Sequence, residues 1–182
     1  MKHSIIALAL LSGLTAACNA EQKDTSAETE MVDVGGEAAF VNDEAKGPVF
    51  IDPKGEENVA VSGYDTVSYF EGDGVPVKGS KEFTVKYNGV DYHFASAENA
   101  ERFQIDPAKF VPQYGGHCAW ALGANSRLAP GDATVYKIVD GKLYLNFSKE
   151  VQVNWEKDIP GFIKGADEAW PKIDPKASFD NQ

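Results

Sequence analysis

The sequence predicts a single α+β domain in which small antiparallel β-hairpins pack with short helices. Two runs rich in apolar residues are interrupted by Asn88-Gly89 and Asp140-Gly141, pairs that favour tight two-residue hairpin turns. Each hairpin is followed by a serine, Ser96 or Ser148, at the point where a helix with a side-chain cap would begin. Hairpins that alternate with short helices are typical of the α+β class.

The turn positions fix which residues face each other across each hairpin. One face of the first hairpin, residues 82–95, is predicted to be its core face because its pairs are apolar or aromatic: Tyr87 with Val90, Val85 with Tyr92, and Phe83 with Phe94. Thr84 and His93 then lie on the opposite face. The second hairpin, residues 134–147, has a predicted core side of its own: Ile138 with Leu143, Tyr136 with Leu145, and Thr134 with Phe147.

Helices are predicted after each hairpin and in three further segments. The serine caps precede helices over 97–105 and 149–158, and another helix is predicted over 160–170, with Pro160 near its start. Residues 65–70 are predicted to form a short helical turn with Asp65 as its N-cap. Gly115-Gly116 interrupt the chain, and residues 117–123 are predicted to be helical.

The two hairpin-and-helix segments resemble each other at a spacing of 52 residues. Identical residues recur at this spacing: Gly79/Gly131, Gly89/Gly141, Tyr92/Tyr144, Ser96/Ser148, Glu98/Glu150, Asp106/Asp158 and Phe110/Phe162. However, Tyr92 is predicted on the core face of its hairpin and Tyr144 on the opposite face of its own. A true duplication would then need a change of register, and convergence on a common solution is an equal alternative.

The N-terminal segment has the features of an export signal. Lys2 precedes an apolar run too short to span a bilayer, and small residues precede Cys18. Residues 1–17 resemble a bacterial lipoprotein signal peptide with Cys18 as the lipidated residue, which implies an exported, lipid-anchored protein that faces the periplasm. Asn19, which is not aspartate, favours the outer membrane over the inner. The alternative is an ordinary secretory signal that leaves Cys18 as a plain thiol or in the discarded peptide.

The rest of the chain divides by composition. Residues 18–46 are polar and acidic, which predicts a flexible tether; residues 47–173 are the predicted folded domain, and 174–182 a loose tail. The net charge of −11 argues against nucleic acid as a partner, because its phosphates would be repelled. If Cys18 is lipidated, Cys118 is left as a lone thiol and no intramolecular disulfide can form.

Several motifs resemble the YHS-domain family: GYDTVSYF (63–70), YNGVDYHFASAENAERF (87–103), PQYGGHCAWAL (112–122) and DGKLYLN (140–146). The resemblance spans 58–171 and is more specifically to exported, single-domain bacterial members. It implies a small hairpin-and-helix fold and an association with copper. YHS domains linked to metal handling carry two cysteines at the positions occupied here by Ala95 and Asn99. That metal pair is therefore absent from this chain.

Gly115-Gly116-His117-Cys118 is the leading candidate site. The glycines allow a sharp turn and close approach of a ligand, and a Cys118 thiolate beside an imidazole suits Cu(I) or Zn(II). A place in the first turn of a helix would favour that thiolate. His117 and His93 are the histidines available as assisting ligands. The alternatives are that Cys118 is a small buried apolar residue, and that His93 is a surface or hydrogen-bonded structural residue.

Three functions are consistent with these residues. The first is a tethered lipoprotein that binds or buffers a soft metal, copper above all, and works with a metal-handling partner protein. The second is a non-catalytic module that binds a small molecule or protein in a cleft beside Gly115 and Gly116, with Thr84 as a further lining residue. The third is a thiol-redox enzyme that uses Cys118, which lacks a resolving cysteine. A non-enzymatic function is favoured.

Overall fold

The computed structural model of the protein describes residues 47–71 and 73–179. They form one α+β domain with two antiparallel hairpins and several short helices, which confirms the predicted fold class. The predicted signal peptide, Cys18 and the acidic tether lie outside the described residues and stay predictions. None of the helices in the described ranges combines the length and the apolar character that a membrane crossing requires.

The strands form two separate two-stranded sheets, one for each hairpin. They are β1 Ser80–Tyr87, β2 Val90–Phe94, β3 Asp132–Val139 and β4 Lys142–Asn146. The helices are α1 Ala97–Ile105, α2 Pro107–Phe110, α3 Ala119–Asn125, α4 Lys149–Trp155 and α5 Ile159–Ala169. Short turns of 3-10 type lie at Val61–Gly63, Ser68–Phe70, Gln113–Gly116 and Trp170–Lys172.

Near the turns, the pairing in both hairpins is the predicted one. The confirmed pairs are Tyr87 with Val90, Val85 with Tyr92, Thr84 with His93, Ile138 with Leu143, and Tyr136 with Leu145. Further from the turns the prediction is wrong. Phe94 pairs with Ser80 rather than Phe83, and Asn146 pairs with Asp132, so that Thr134 does not pair with Phe147.

A bulge at the same place in β1 and β3 causes this shift. The Ser80 hydroxyl accepts a hydrogen bond from the Glu82 backbone N–H at 3.2 Å. In β3, Asp132 Oδ1 accepts from the Thr134 N–H at 2.7 Å. Each side chain thereby competes with the opposite strand for a backbone donor, and the ladder is interrupted there.

The second hairpin is buried on both faces, which corrects the prediction of a single core side. Leu143 and Leu145 belong to a first hydrophobic cluster that also contains the core face of the first hairpin. Tyr144, which lies between them on the opposite face of β4, belongs to a second cluster with Trp155 and Leu122. β4 therefore separates two small cores, and each of its faces has an apolar partner.

Side-chain caps begin the helices as the sequence predicts. The Ser96 hydroxyl accepts from the Asn99 N–H at 3.2 Å, and the Ser148 hydroxyl accepts from the Val151 N–H at 3.3 Å. Two aspartates, Asp106 and Asp158, cap α2 and α5 in the same way. These caps satisfy N–H groups that have no partner within the helix.

The two segments related by 52 residues are repeats in structure. Their strands, bulges and caps coincide at that spacing. In the first segment, the Tyr92 ring packs on Phe103 with 4.9 Å between centroids. In the second, Tyr144 packs on Trp155 at 5.5 Å. Both tyrosines face the helix of their own segment, so the apparent conflict of phase disappears and no change of register is needed.

A fully buried carboxylate, that of Asp65, ties the first repeat together. Its Oδ1 accepts from the N–H groups of Val67 at 2.8 Å and Ser68 at 3.3 Å. The predicted N-cap is wrong, because the 3-10 turn begins at Ser68 and its N-cap position is Val67. Asp65 Oδ2 accepts from the Ala95 N–H at 2.9 Å and from Asn99 Nδ2 at 2.6 Å. The carboxylate therefore joins the turn that follows it, the end of β2 and the first turn of α1.

We expect Asp65→Asn to lower the free energy of unfolding by about 3 kcal/mol, because it sets an amide donor against the N–H groups that now find an acceptor. Urea denaturation of the full chain measures this. The matched control is Asp73→Asn, since Asp73 accepts from the Val75 N–H at 3.2 Å but is exposed. Equal costs for the two variants would contradict this role of Asp65.

Candidate functional site

Cys118 is completely buried, at 0% exposure, immediately before α3. Its thiol lies 3.8 Å from Asn146 Oδ1. The nearby backbone N–H groups of Ala121, Phe147 and Trp120 favour the thiolate electrostatically. The Trp120 N–H donates to Asn146 Oδ1 at 3.3 Å. Burial raises the pKa of the Cys118 thiol, and these N–H groups offset only part of that effect. The expectation that a helix start would favour the thiolate is therefore wrong, because desolvation outweighs the backbone donors.

His117 follows the glycine turn and is also buried. Its Nδ1 lies 2.9 Å from the Tyr114 carbonyl oxygen, and its ring contacts Phe50 and Trp170, with centroids 5.7 and 6.2 Å away. Burial lowers the pKa of His117. The neutral ring then donates its Nδ1–H to that carbonyl, and its surroundings are aromatic.

His93 is buried on β2, where it packs near Gly63. Thr84, its partner across the hairpin, donates its hydroxyl to the Lys81 carbonyl oxygen at 2.8 Å. Within residues 47–71 and 73–179, no group of three or more His, Cys, Asp or Glu side chains could hold a metal ion. The fold therefore does not bring Cys118, His117 and His93 together as a ligand set.

The family's two cysteine positions have a different use in this chain. The Ala95 N–H and Asn99 Nδ2 both donate to Asp65 Oδ2. Donors that point at a carboxylate match negative charge rather than a metal cation. The described residues at these positions do not fit a thiolate copper centre.

Gly115 and Gly116 allow a close approach, but it is to the protein's own backbone. Gly115 has a left-handed φ of 60°, and its carbonyl oxygen accepts from the Phe50 N–H at 2.9 Å. A Cβ at Gly115 would lie 2.2 Å from the Pro48 carbonyl oxygen. The glycine turn thus positions the segment that carries Phe50.

An open cleft, here named the aromatic cleft, has a volume of about 530 Å³. Its lining contains four aromatic residues, Phe50, Tyr64, Phe147 and Phe179. The other lining residues are Asp52, Pro53, Lys54, Ser62, Pro130, Gly131, Asp132, Ala133 and Thr134. None of the predicted lining residues, Gly115, Gly116 and Thr84, is among them. The segments that meet here are far apart in sequence, so no local pattern could have identified this cleft.

Two carboxylates of the aromatic cleft are held in place by local hydrogen bonds. Asp132 Oδ1 accepts from both the N–H and the hydroxyl of Thr134, each at 2.7 Å. Asp52 accepts from the Lys54 N–H at 2.9 Å and from the Ser62 hydroxyl at 3.4 Å. These contacts orient both carboxylates while leaving acceptor capacity for a ligand, since a carboxylate has about four lone-pair sites.

The raised pKa of Cys118 predicts slow alkylation at neutral pH. The rate should keep rising with pH beyond the point where an ordinary thiol levels off, because the folded protein needs a higher pH to form the thiolate. Iodoacetamide labelling of the full chain, followed by peptide mass mapping, separates Cys118 from Cys18. The urea-unfolded chain is the control, and its alkylation rate should be half-maximal near pH 8.5. A fast, pH-independent phase near neutrality would contradict this expectation.

A YHS domain is found at residues 72–114 by comparison with protein-family models. The match covers the first hairpin, α1 and α2, and it ends at Tyr114, before Cys118 and the second hairpin. The more specific resemblance to exported lipoproteins is not confirmed. No curated protein and no solved structure matches the chain. YHS domains are often linked to copper handling, and the match lies within the first repeat of this protein.

Proposed function

We propose that this protein is an exported, membrane-tethered binding module without catalytic activity, and that the aromatic cleft takes a small organic cation. The observation that carries the proposal is the cleft itself, in which four aromatic rings surround about 530 Å³ together with two oriented carboxylates. That volume lies within the usual range of small-molecule sites. The export signal and the tether, both sequence predictions, would hold the module at a membrane surface.

Aromatic rings and carboxylates together favour a cation. The negative face of an aromatic ring attracts positive charge, and carboxylates add a direct ionic partner. Tyr64 already attracts a cation in this way, since Lys78 Nζ lies 4.0 Å from its ring centroid. Lys54 is the one ammonium group among the lining residues described, against the carboxylates of Asp52 and Asp132. The charge balance of the lining thus favours an amine over an acid.

The lining residues also favour binding over catalysis. Ser62 and Thr134 both donate their hydroxyls to carboxylates, and no histidine belongs to the described lining. A serine or threonine nucleophile needs a base that accepts its proton and is itself oriented by another group. Cys118 lies outside the lining and is buried. A thiol-redox enzyme is therefore less well supported than a binding module.

Copper binding is the second candidate, and the family match favours it. The contacts of Ala95 and Asn99 argue against it, because both residues donate to the Asp65 carboxylate. The Cys118 thiol is buried and donates to Asn146 Oδ1. Copper chemistry is therefore not assigned to any of these residues.

Binding of tryptamine, observed by NMR on the full chain, tests the proposed function. We expect a dissociation constant of about 1 mM, with shifts at the aromatic cleft, and much weaker binding of indoleacetate, which carries the opposite charge. Asp132→Asn keeps the acceptor for Thr134 but removes the charge, and Phe147→Ala removes one ring. Each should weaken tryptamine binding by about tenfold.

Ile105→Ala is the matched control for Phe147→Ala. Ile105 is 76% exposed and Phe147 is 55% exposed, but Ile105 lies at the end of α1 and does not line the cleft. Its replacement should leave tryptamine binding unchanged. Equal binding of tryptamine and indoleacetate, or an equal loss in the Ile105 variant, would reject the proposal.

An anaerobic Cu(I) titration of the full chain, with a competing chelator, separates the two candidates. We expect Cys118→Ala to bind the same number of Cu(I) equivalents as the parent, because the Cys118 thiol is fully buried and donates to Asn146 Oδ1. Loss of one equivalent in the variant would support the copper function instead.

A further inference from the structure

Residues 174–179 form a segment, which we name the strap, that turns before it reaches the aromatic cleft. The Ala177 N–H donates to the Asp174 carbonyl oxygen at 2.8 Å, and the Lys176 N–H donates to Asp174 Oδ1, also at 2.8 Å. Aspartate followed by proline, here Pro175, is typical of such a turn, because proline fixes the φ of the second position. The sequence of the strap therefore sets the direction in which its end leaves the turn.

Phe179 is the residue of the strap that reaches the aromatic cleft. Its side chain belongs to the lining, and its ring packs edge-on against Phe50, with 5.7 Å between centroids and 63° between the ring planes. Phe50 is itself a fixed wall: it is 7% exposed, its ring also packs against His117, and its N–H donates to the Gly115 carbonyl oxygen. The end of the strap thus docks on an immobile part of the cleft.

The strap has the features of an element that can leave the cleft and return. Residues 174–176 are exposed, whereas residues 177–179 are partly buried. The hydrogen bonds to Asp174 lie within the strap, so the turn persists when the strap moves as a unit. An aromatic pair such as Phe50 with Phe179 contributes a factor of about ten or less to docking. A ligand that contacts Phe179 gains that contact only with the strap docked, and it therefore favours the docked state.

We propose that the strap is a lid of the aromatic cleft, and that a bound small organic cation holds the lid closed. This inference rests on the proposed function, because it assigns a second effect to the same ligand. A cation that lies between the Phe179 ring and the carboxylates of Asp52 and Asp132 contacts the lid and the fixed walls together. The closed lid also keeps water from one side of the cleft, which strengthens the attraction between the cation and the carboxylates.

Cleavage of the full chain after Lys176 by a lysine-specific protease reports on the lid. Lys176 lies on the strap, so the bond after it enters the protease when the strap undocks, and mass spectrometry detects the released residues 177–182. Tryptamine at about ten times its dissociation constant should slow this cleavage about tenfold, since it binds the docked state. A short lysine peptide in the same tube shows whether tryptamine inhibits the protease itself.

Substitutions at Phe179 separate the lid from the rest of the cleft. Without ligand, we expect Phe179→Ala to raise cleavage after Lys176 about fivefold, because it removes the ring that docks on Phe50. The same variant should bind tryptamine about fivefold more weakly and gain no protection from it. Phe179→Tyr keeps the ring and should keep the protection. Ile105→Ala, which truncates an exposed side chain outside the cleft, is the control and should behave as the parent does.

The outcomes distinguish a failure of the lid from a failure of the proposed function. Tryptamine shifts at the cleft without slower cleavage after Lys176 would overturn the lid and leave the function standing. Faster cleavage with tryptamine would also overturn the lid, because the ligand would then displace Phe179. Equal cleavage of the parent and Phe179→Ala without ligand would show that the ring does not dock the strap. Absence of tryptamine shifts would overturn the function and the lid together.

Discussion

The buried carboxylate of Asp65 is the interaction on which the first repeat depends. Burial of a charge is costly unless donors replace the lost water, and Asp65 receives four. Those donors belong to three segments that the chain must bring together: the turn after Asp65, the end of β2 and the start of α1. Because each oxygen accepts two hydrogen bonds, removal of the carboxylate would leave several buried donors without partners at once.

The second repeat keeps this framework but differs in what it buries. β4 has apolar partners on both faces, whereas the first hairpin exposes part of the face opposite its core. In the second repeat, the buried Cys118 thiol donates to Asn146 Oδ1 at 3.8 Å. The aromatic cleft borders both repeats, since Ser62 and Tyr64 come from the first and residues 130–134 lead into the second.

Local signals predicted much of the fold, and contacts distant in sequence account for what they missed. The Asn88-Gly89 and Asp140-Gly141 turns set the register nearby, and the serine caps set the helix starts. The bulges were not predicted. They arise because the Ser80 and Asp132 side chains compete with the opposite strand for backbone N–H donors. The hydrogen bonds to Asp65 Oδ2 were not predicted because their donors, Ala95 and Asn99, lie 30 and 34 residues further along the chain. The sequence identified Cys118 but not its burial, which depends on segments far along the chain.

Amide hydrogen exchange, followed residue by residue in the full chain, tests most directly whether the Asp65 carboxylate joins separate segments of the first repeat. Three amides are decisive: Val67 and Ser68 in the turn after Asp65, and Ala95 at the end of β2. The account predicts that all three exchange slowly and at similar rates, through opening of the whole domain. Fast exchange at any of these three amides would contradict it.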